Sequence, residues 1–424
     1  MDRVVLHSDC NCFYASVEMH RHPELRGTAM CVGGDVESRH GIVLAKSPLA
    51  KASGVKTGEA LWQARAKCPG LIVVPPDYPA YLHYARLARM IYYDYTDLVE
   101  PFGLDESWLD ITGTVGCFGG EPRLVAEEIS ERVKAELGIT VSVGMSWNKV
   151  FAKLGSDLDP GDGIIEVGRD TYRDTVWPLP ASDLIYVGPA TTRKLGTCGI
   201  ETIGDLACAD DRLLKHLLGK MGLILKVFAC GKDTTPVRTL DPGSADVLRE
   251  VKSIGNGLTA PHDIVCMDDA KALIWLLAES VAQRLRECRL RARTIAVGVR
   301  DAGTLAGYTR QRALRIATCT TGEIAHTAFE LLRANEPLDA GHPLRALHVR
   351  ASRLEPFSAC RQLDLFGDEE ARMAAERLDL AIDGTRRRFG NRAVMRLCEL
   401  VDPTLMGLDI KADNVIHPVG YFGG

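Results

Sequence analysis

Three acidic side chains are placed where they could gather a metal ion: Asp9, at the end of the apolar run Val4-Val5-Leu6, and the adjacent pair Asp105 and Glu106. Neighbours on a regular strand point to opposite faces, but a tight hairpin turn can aim both at one point. With Asp9 brought in from a neighbouring strand, they would form a hard, all-oxygen site suited to Mg²⁺, which keeps several waters and completes its shell with substrate phosphates. Two such ions, about 3.5–4 Å apart, can clamp the attacking and leaving oxygens of a phosphoryl displacement. A lone acid in a loop is ordinarily just solvated, so the reading rests on the three together and on their context.

Those acids need a sheet to hold them. Residues 4–8 read as a buried strand that delivers Asp9, followed by a helix over about 13–20. Residues 99–112 read as two short strands joined between Gly103 and Glu106. Val125, Ile129, Val133 and Leu137 fall four apart on one helix face, with Gly138 placed to end the helix, and 139–145 alternates as a further strand. This is an α+β layer with carboxylates at strand ends. A small module is inserted between Met30 and about Pro76; it contains Gly33, Gly34 and the run Gly41-Ile42-Val43-Leu44-Ala45.

After about Thr171 the chain turns helical, and the turn at 187–192, with Gly188 in it, would expose backbone N–H groups able to hold a phosphate without reading a base. Asp241-Pro242-Gly243-Ser244 reads as a linker. Beyond it, strands near 251–258, 294–299 and 344–351 alternate with helices near 270–286 and 321–333, a second and smaller α+β domain. This domain carries a basic stretch: Arg284, Arg286, Arg289, Arg291, Arg293, Arg300, Arg310, Arg312 and Arg315 stand against Glu287 and Asp301, nine minus two, a net of +7. Arg291 and Arg293 alternate with apolar neighbours, and together with Lys252 and Ser253 they suit a polyanion's phosphates. A final helix is expected over 368–389, acids first and Arg386-Arg387-Arg388 last, as the helix dipole prefers.

The bulk numbers narrow the class. The 424 residues are 46% apolar and 25% charged, enough for two to four domains, and no apolar run is long enough for a membrane span or looks like a signal peptide. A cytoplasmic protein without membrane contact is expected. The 13 cysteines are scattered, with no Cys-x-x-Cys, so reduced thiols are expected rather than a disulfide framework or zinc site.

With these residues in view, the chain resembles the Y-family translesion DNA polymerases. His7-Ser8-Asp9-Cys10-Asn11-Cys12-Phe13-Tyr14-Ala15-Ser16-Val17-Glu18 is similar to their opening palm motif, and Gly103-Leu104-Asp105-Glu106-Ser107-Trp108-Leu109-Asp110 to their second catalytic motif. Val143-Gly144-Met145-Ser146, with the run from Asn148 to Asp157, resembles the third palm segment, and the turn at 187–192 resembles the thumb. The likeness implies an α+β multidomain right hand: palm over 1–30 and 77–170, fingers over 31–76, helical thumb over 171–240, α+β little finger over 246–356, and a tail over 357–424.

The resemblance also implies roles. Asp9, Asp105 and Glu106, with the backbone carbonyl of Cys10, would hold two Mg²⁺ ions (Mn²⁺ a substitute), Glu106 being the catalytic acid. The helix start at Cys12, Phe13 and Tyr14 would receive the incoming triphosphate. Tyr14 would be the steric gate against a 2′-hydroxyl. The fingers depart from the family: where Thr, Tyr and Arg usually meet the phosphates, this chain has Ala45, Pro48 and Lys51, and Asp159 stands near an expected Lys. A weak grip on the triphosphate follows, carried by Lys51 with Lys46. Gly188, Lys252, Ser253, Arg291 and Arg293 would contact primer–template DNA. Gln362-Leu363-Asp364-Leu365-Phe366 looks like the bacterial motif that binds the sliding clamp, the DNA polymerase III beta subunit, with Leu365 and Phe366 as anchors. The implied protein is a monomeric, error-prone enzyme using dNTPs. The rival readings are a catalytically weak DNA- and clamp-binding scaffold of the same fold, and a nucleotidyl cyclase-like palm enzyme.

Overall fold

The computed structural model describes residues 3–34, 41–158, 161–238, 251–336, 338, 341–360 and 369–397. They form two compact units, one up to residue 238 and one from 251 onward.

The first unit is built on a five-stranded sheet. Its elements are β1 (Val5–Cys10), α1 (Phe13–Arg21), β2 (Met30–Gly33), β3 (Val43–Lys46), α2 (Pro48–Ala52), α3 (Leu61–Lys67), β4 (Ile72–Val74), α4 (Tyr78–Tyr93), β5 (Val99–Pro101), β6 (Glu106–Asp110), α5 (Pro122–Leu137), β7 (Val141–Ser146), α6 (Lys149–Leu158) and β8 (Ile164–Glu166). Short helices follow: α7 (Tyr172–Thr175), α8 (Pro189–Gly196), α9 (Ile203–Cys208), α10 (Asp211–Leu218) and α11 (Lys220–Ala229). The large sheet runs β5-β6-β1-β7-β8, and a separate three-stranded sheet β3-β2-β4 forms the inserted module. Helix α4 and strand β8 were not anticipated from the sequence.

Local chemistry explains the layering. On α5 the expected stripe Val125, Ile129, Val133 and Leu137 is buried, and Gly138, at φ +66°, ends the helix with its N–H on the Lys134 carbonyl. Strand β7 is buried along its whole length, because α5 and α6 both contact it. At Gly144 a Cβ would stand 1.8 Å from the Ala152 carbonyl oxygen and 2.4 Å from the Ser156 nitrogen. Only glycine lets α6 lie backbone-close on the sheet, which is how residues of α6 reach β1. The helices α8 to α11 pack around Leu195, Ile203, Leu206, Leu214 and Leu225.

The second unit comprises β9 (Ser253–Ile264), α12 (Met267–Glu287), β10 (Leu290–Asp301), β11 (Gly307–Thr318), α13 (Thr321–Asn335), β12 (Leu344–Pro356) and α14 (Glu369–Phe389). The antiparallel sheet runs β11-β10-β12-β9. Ile295, Val297 and Val299 of β10 and Leu347, Val349 and Ala351 of β12 join one core with Leu273, Leu277, Ile324 and Ala328 of α12 and α13. Strand β11 lies within the basic stretch and was not read as a strand; its arginines had obscured the alternation.

The last helix is present where expected and is tied to the unit by buried charge. Arg286 of α12 donates to Asp383 (2.6 Å) and Asp379 (3.2 Å), and Asp379 also accepts from the Thr321 N–H (2.7 Å). Arg386 and Arg396 converge on Glu279 at 2.8 and 2.6 Å.

Candidate active site

In the β1–β6 ladder Asp9 stands directly opposite Glu106. Asp105 comes from the turn before β6. There Gly103, at φ +101°, reverses the chain, Phe102 N–H donates to the Glu106 carbonyl (2.9 Å), and Cys10 N–H donates to the Asp105 carbonyl (3.1 Å). The expected hairpin therefore exists, and it brings the three acids to one end of two neighbouring strands.

Helix α6 supplies the counter-charge. Lys153 Nζ lies 2.8 Å from Glu106 Oε2, 3.2 Å from Asp157 Oδ1 and 3.7 Å from Asp9 Oδ2. His7, fully buried, places Nε2 3.3 Å from Glu106 Oε2. Among the described residues no three acidic, histidine or cysteine side chains are grouped as ready metal ligands; the Lys153 ammonium lies between Asp9 and Glu106 instead.

The crowding shows in the electrostatics. Burial, then the charge of Glu106, pushes Asp9 up to about 8 against the pull of Lys153. Burial and Glu106 likewise raise Asp105 to about 6. Burial also works against ionised Glu106, but His7 and Lys153 outweigh it and hold that carboxyl below its ordinary value. Half-buried oxygens that repel one another are relieved by a cation, and hard carboxylates suit a divalent one such as Mg²⁺. The donor set fits that group.

Helices α1 and α4 together carry an aromatic wall. Tyr14 of α1 stacks on Tyr81 of α4, with ring centroids 4.2 Å apart and planes 14° from parallel, and Tyr78 meets it edge-on at 6.0 Å. The Tyr81 hydroxyl donates to buried Glu18 at 2.6 Å. Cys12 precedes α1 in the left-handed region (φ 51°) and provides no side-chain cap, so the first-turn N–H groups around Phe13 and Tyr14 keep their capacity for an anion.

The other anticipated residues are scattered over the two units. In the inserted module Ala45 lies in β3 and Pro48 opens α2, whose Lys51 is exposed, while Lys46 donates to Thr57 at 2.9 Å. Gly188 precedes Pro189 at the start of α8, with no side-chain cap. Lys252 is exposed just before β9, and Ser253 opens it. Arg291 lies over Phe357 (4.4 Å) and 3.6 Å from Glu376, and Arg293 pairs with Glu355. Both guanidinium groups are thus engaged within the unit. Arg300 and Arg350 are exposed and make no ion pair among the described residues. Asp159 and the segment Gln362-Leu363-Asp364-Leu365-Phe366 lie outside the described residues.

Sequence reasoning did not single out His7, Lys153, Ser156 or Tyr81. Lys153 and Ser156 share one face of α6 by their spacing, which was a usable signal. For Tyr81 there was none, since its partner is 67 residues away in the chain, 81 minus 14.

The chain is similar to known proteins in sequence and fold. The impB/mucB/samB family matches residues 8–157, and its C-terminal domain matches 251–365. A Y-family DNA polymerase chimera of solved structure covers 83% of this chain and 99% of its own at a TM-score of 0.72; at 21% identity, that likeness concerns the fold. The chain belongs to the Y family of translesion DNA polymerases, the impB/mucB/samB family, in its DNA polymerase IV branch. DNA polymerase IV of Acetivibrio thermocellus is 45% identical over 93% of this chain and 97% of its own. DNA polymerase IV 1 of Bacillus subtilis is 36% identical over 93% and 92%. No helix among the described residues is long and apolar enough to cross a membrane.

Proposed function

We propose that this chain adds deoxynucleotides to a primer 3′-hydroxyl on a DNA template, by two-metal nucleotidyl transfer at Asp9, Asp105 and Glu106. The observation that carries the reading is the register of Asp9 opposite Glu106, with Asp105 in the adjoining turn. These three side chains and the Cys10 carbonyl would hold two Mg²⁺ ions, or Mn²⁺ in their place. Bound there, the ions supply Lewis acidity to the attacking hydroxyl and the departing pyrophosphate. The chain's own part is to orient: Glu106 is positioned at the reacting centre by its strand, and the N–H groups of Cys12, Phe13 and Tyr14 receive the triphosphate. Lys51 adds charge, a weak grip given Ala45, Pro48 and Asp159. Tyr14, backed by Tyr81, closes the space a 2′-hydroxyl would need.

The palm is assigned to 1–30 and 77–170, the fingers to 31–76, the thumb to 171–240 and the little finger to 246–356. Gly188, Lys252, Ser253, Arg291 and Arg293 contact the DNA, the last two after exchanging their carboxylate partners for phosphates. Gln362, Leu363, Leu365 and Phe366 bind the sliding clamp in the cytoplasm.

The test is extension of a primed template by purified protein with Mg²⁺ and dNTPs, beside Asp105→Ala. The expected result is extension by the wild type and none by the variant. A wild type that binds the DNA but extends nothing with Mg²⁺ or Mn²⁺ makes the chain a scaffold instead.

A further inference from the structure

Behind the carboxylates, a buried histidine connects helix α6 to Glu106. His7 lies two residues before Asp9 on the same face of β1. It pairs across the sheet with Trp108 and Gly144, and its ring meets the Trp108 ring edge-on at 5.3 Å. Because Gly144 admits α6 so closely, Ser156 reaches the ring: its Oγ is 2.8 Å from His7 Nδ1. The other nitrogen, Nε2, has no hydrogen-bond partner elsewhere among the described residues and faces Glu106 Oε2 at 3.3 Å, a loose contact in this state.

Proton counting selects one arrangement. Ser156 Oγ is also 2.7 Å from the Lys153 carbonyl, so it has one proton and two acceptors. If the proton goes to Lys153, Nδ1 must carry the ring hydrogen and Nε2 turns a lone pair on a carboxylate oxygen, which is repulsive. If it goes to Nδ1, then Nε2 carries the hydrogen and presents it to Glu106. A doubly protonated ring presents the same Nε2–H to Glu106, so the contact does not depend on the ring's charge.

We propose that His7, held in its Nε2–H tautomer by Ser156, is a positioning residue that sets the orientation of Glu106 for nucleotidyl transfer. The inference rests on the polymerase reading above. It assigns His7 no contact with substrate; the effect passes through the glutamate, whose misplacement alone slows an aligned reaction.

The test uses the full chain and its His7→Leu, His7→Gln and Ser156→Ala variants in single-turnover addition of one dNTP, with melting curves and ¹⁵N-histidine NMR of each. His7→Leu should lower the maximal rate by about tenfold to a hundredfold, with the dNTP concentration dependence changed less than about twofold. His7→Gln, whose amide N–H can replace Nε2–H, should recover much of that rate. The NMR signal lost in His7→Gln should be that of an Nε2–H ring, and Ser156→Ala should shift it towards a mixture. The proposal is overturned if His7→Leu keeps the wild-type rate, if a normally melting His7→Gln recovers nothing, or if the wild-type ring carries its hydrogen on Nδ1. Should the wild type extend no primer, the polymerase reading fails, while the NMR signal still decides whether His7 presents Nε2–H to Glu106.

Discussion

Tyr14 and Tyr81 lie face to face, 4.2 Å between ring centroids, so the residue assigned to exclude ribonucleotides is backed by a second, fully buried ring. An aromatic pair of this kind is worth about 0.5–1.5 kcal/mol beyond its buried area. That biases Tyr14 towards the stacked rotamer by roughly two- to tenfold.

Replacing Tyr14 by Ala should therefore admit ribonucleotides, seen as extension with rNTPs. Tyr81→Leu, which keeps bulk but loses the stack, should relax sugar selection by roughly two- to tenfold, the same pair energy read as a rate ratio. Tyr81→Phe keeps the stack and should leave selection unchanged. It strips buried Glu18 of its 2.6 Å donor, and a lower melting temperature, worth about 1–3 kcal/mol, should report that loss.

The crowded carboxylates predict a pH-dependent stability. Asp9 is raised to about 8 and Asp105 to about 6, so between about pH 4 and those values the folded chain binds more protons than the unfolded one. Stability without divalent metal should consequently fall as pH rises from 5 to 8. Thermal melting in a chelator should show the fall, Asp9→Asn should flatten it, and added Mg²⁺ should oppose it most at high pH.

The ion network under α14 predicts that the C-terminal helix is structural. Arg286→Ala leaves Asp379 and Asp383, both about 5% exposed, without a main partner. Breaking a buried pair from one side costs about 3–5 kcal/mol. Urea unfolding of the variant should show a loss of that order, and Arg312→Ala, whose pair with Glu330 is exposed, should lose less than about 1 kcal/mol.

The arginines of the second unit should separate by salt dependence. Arg300 and Arg350 are exposed and unpaired among the described residues, whereas Arg293 is held by Glu355. Taken as phosphate contacts beside the assigned ones, Arg350 and Arg300 should each cost DNA binding, measured over a range of salt, about one unit of slope when replaced by Ala. Arg293→Ala should lose less, because its charge is already partly neutralised.

Several elements were legible from local pattern alone. The four-residue spacing of Val125 to Leu137 announced α5 and Gly138 announced its end, since burial of one stripe and a left-handed cap leave marks within a few residues. Gly103 announced the turn that carries Asp105. Strand β11 was hidden because its alternation is carried by arginines that lie along a helix face rather than by apolar side chains: Arg312 reaches Glu330 and Arg310 reaches Asn335. Helix α4 was passed over although Tyr81, Ala85, Ala88, Ile91 and Tyr92 form its buried side.

The sequence by itself determined the carboxylates, the aromatic at residue 14, the glycines where the backbone must turn or approach, and the net positive stretch. These depend on side-chain type and on spacings shorter than a turn or two of chain. Only the tertiary structure decided which of these groups have partners among the described residues: Lys153 and His7 at Glu106, Tyr81 behind Tyr14, and carboxylates on Arg286, Arg291 and Arg293 but none there on Arg300 or Arg350. The physical reason is that a charge or a ring is perturbed by whatever folding brings within a few ångströms, and those neighbours come from elements tens of residues away, whose separation carries no local signal.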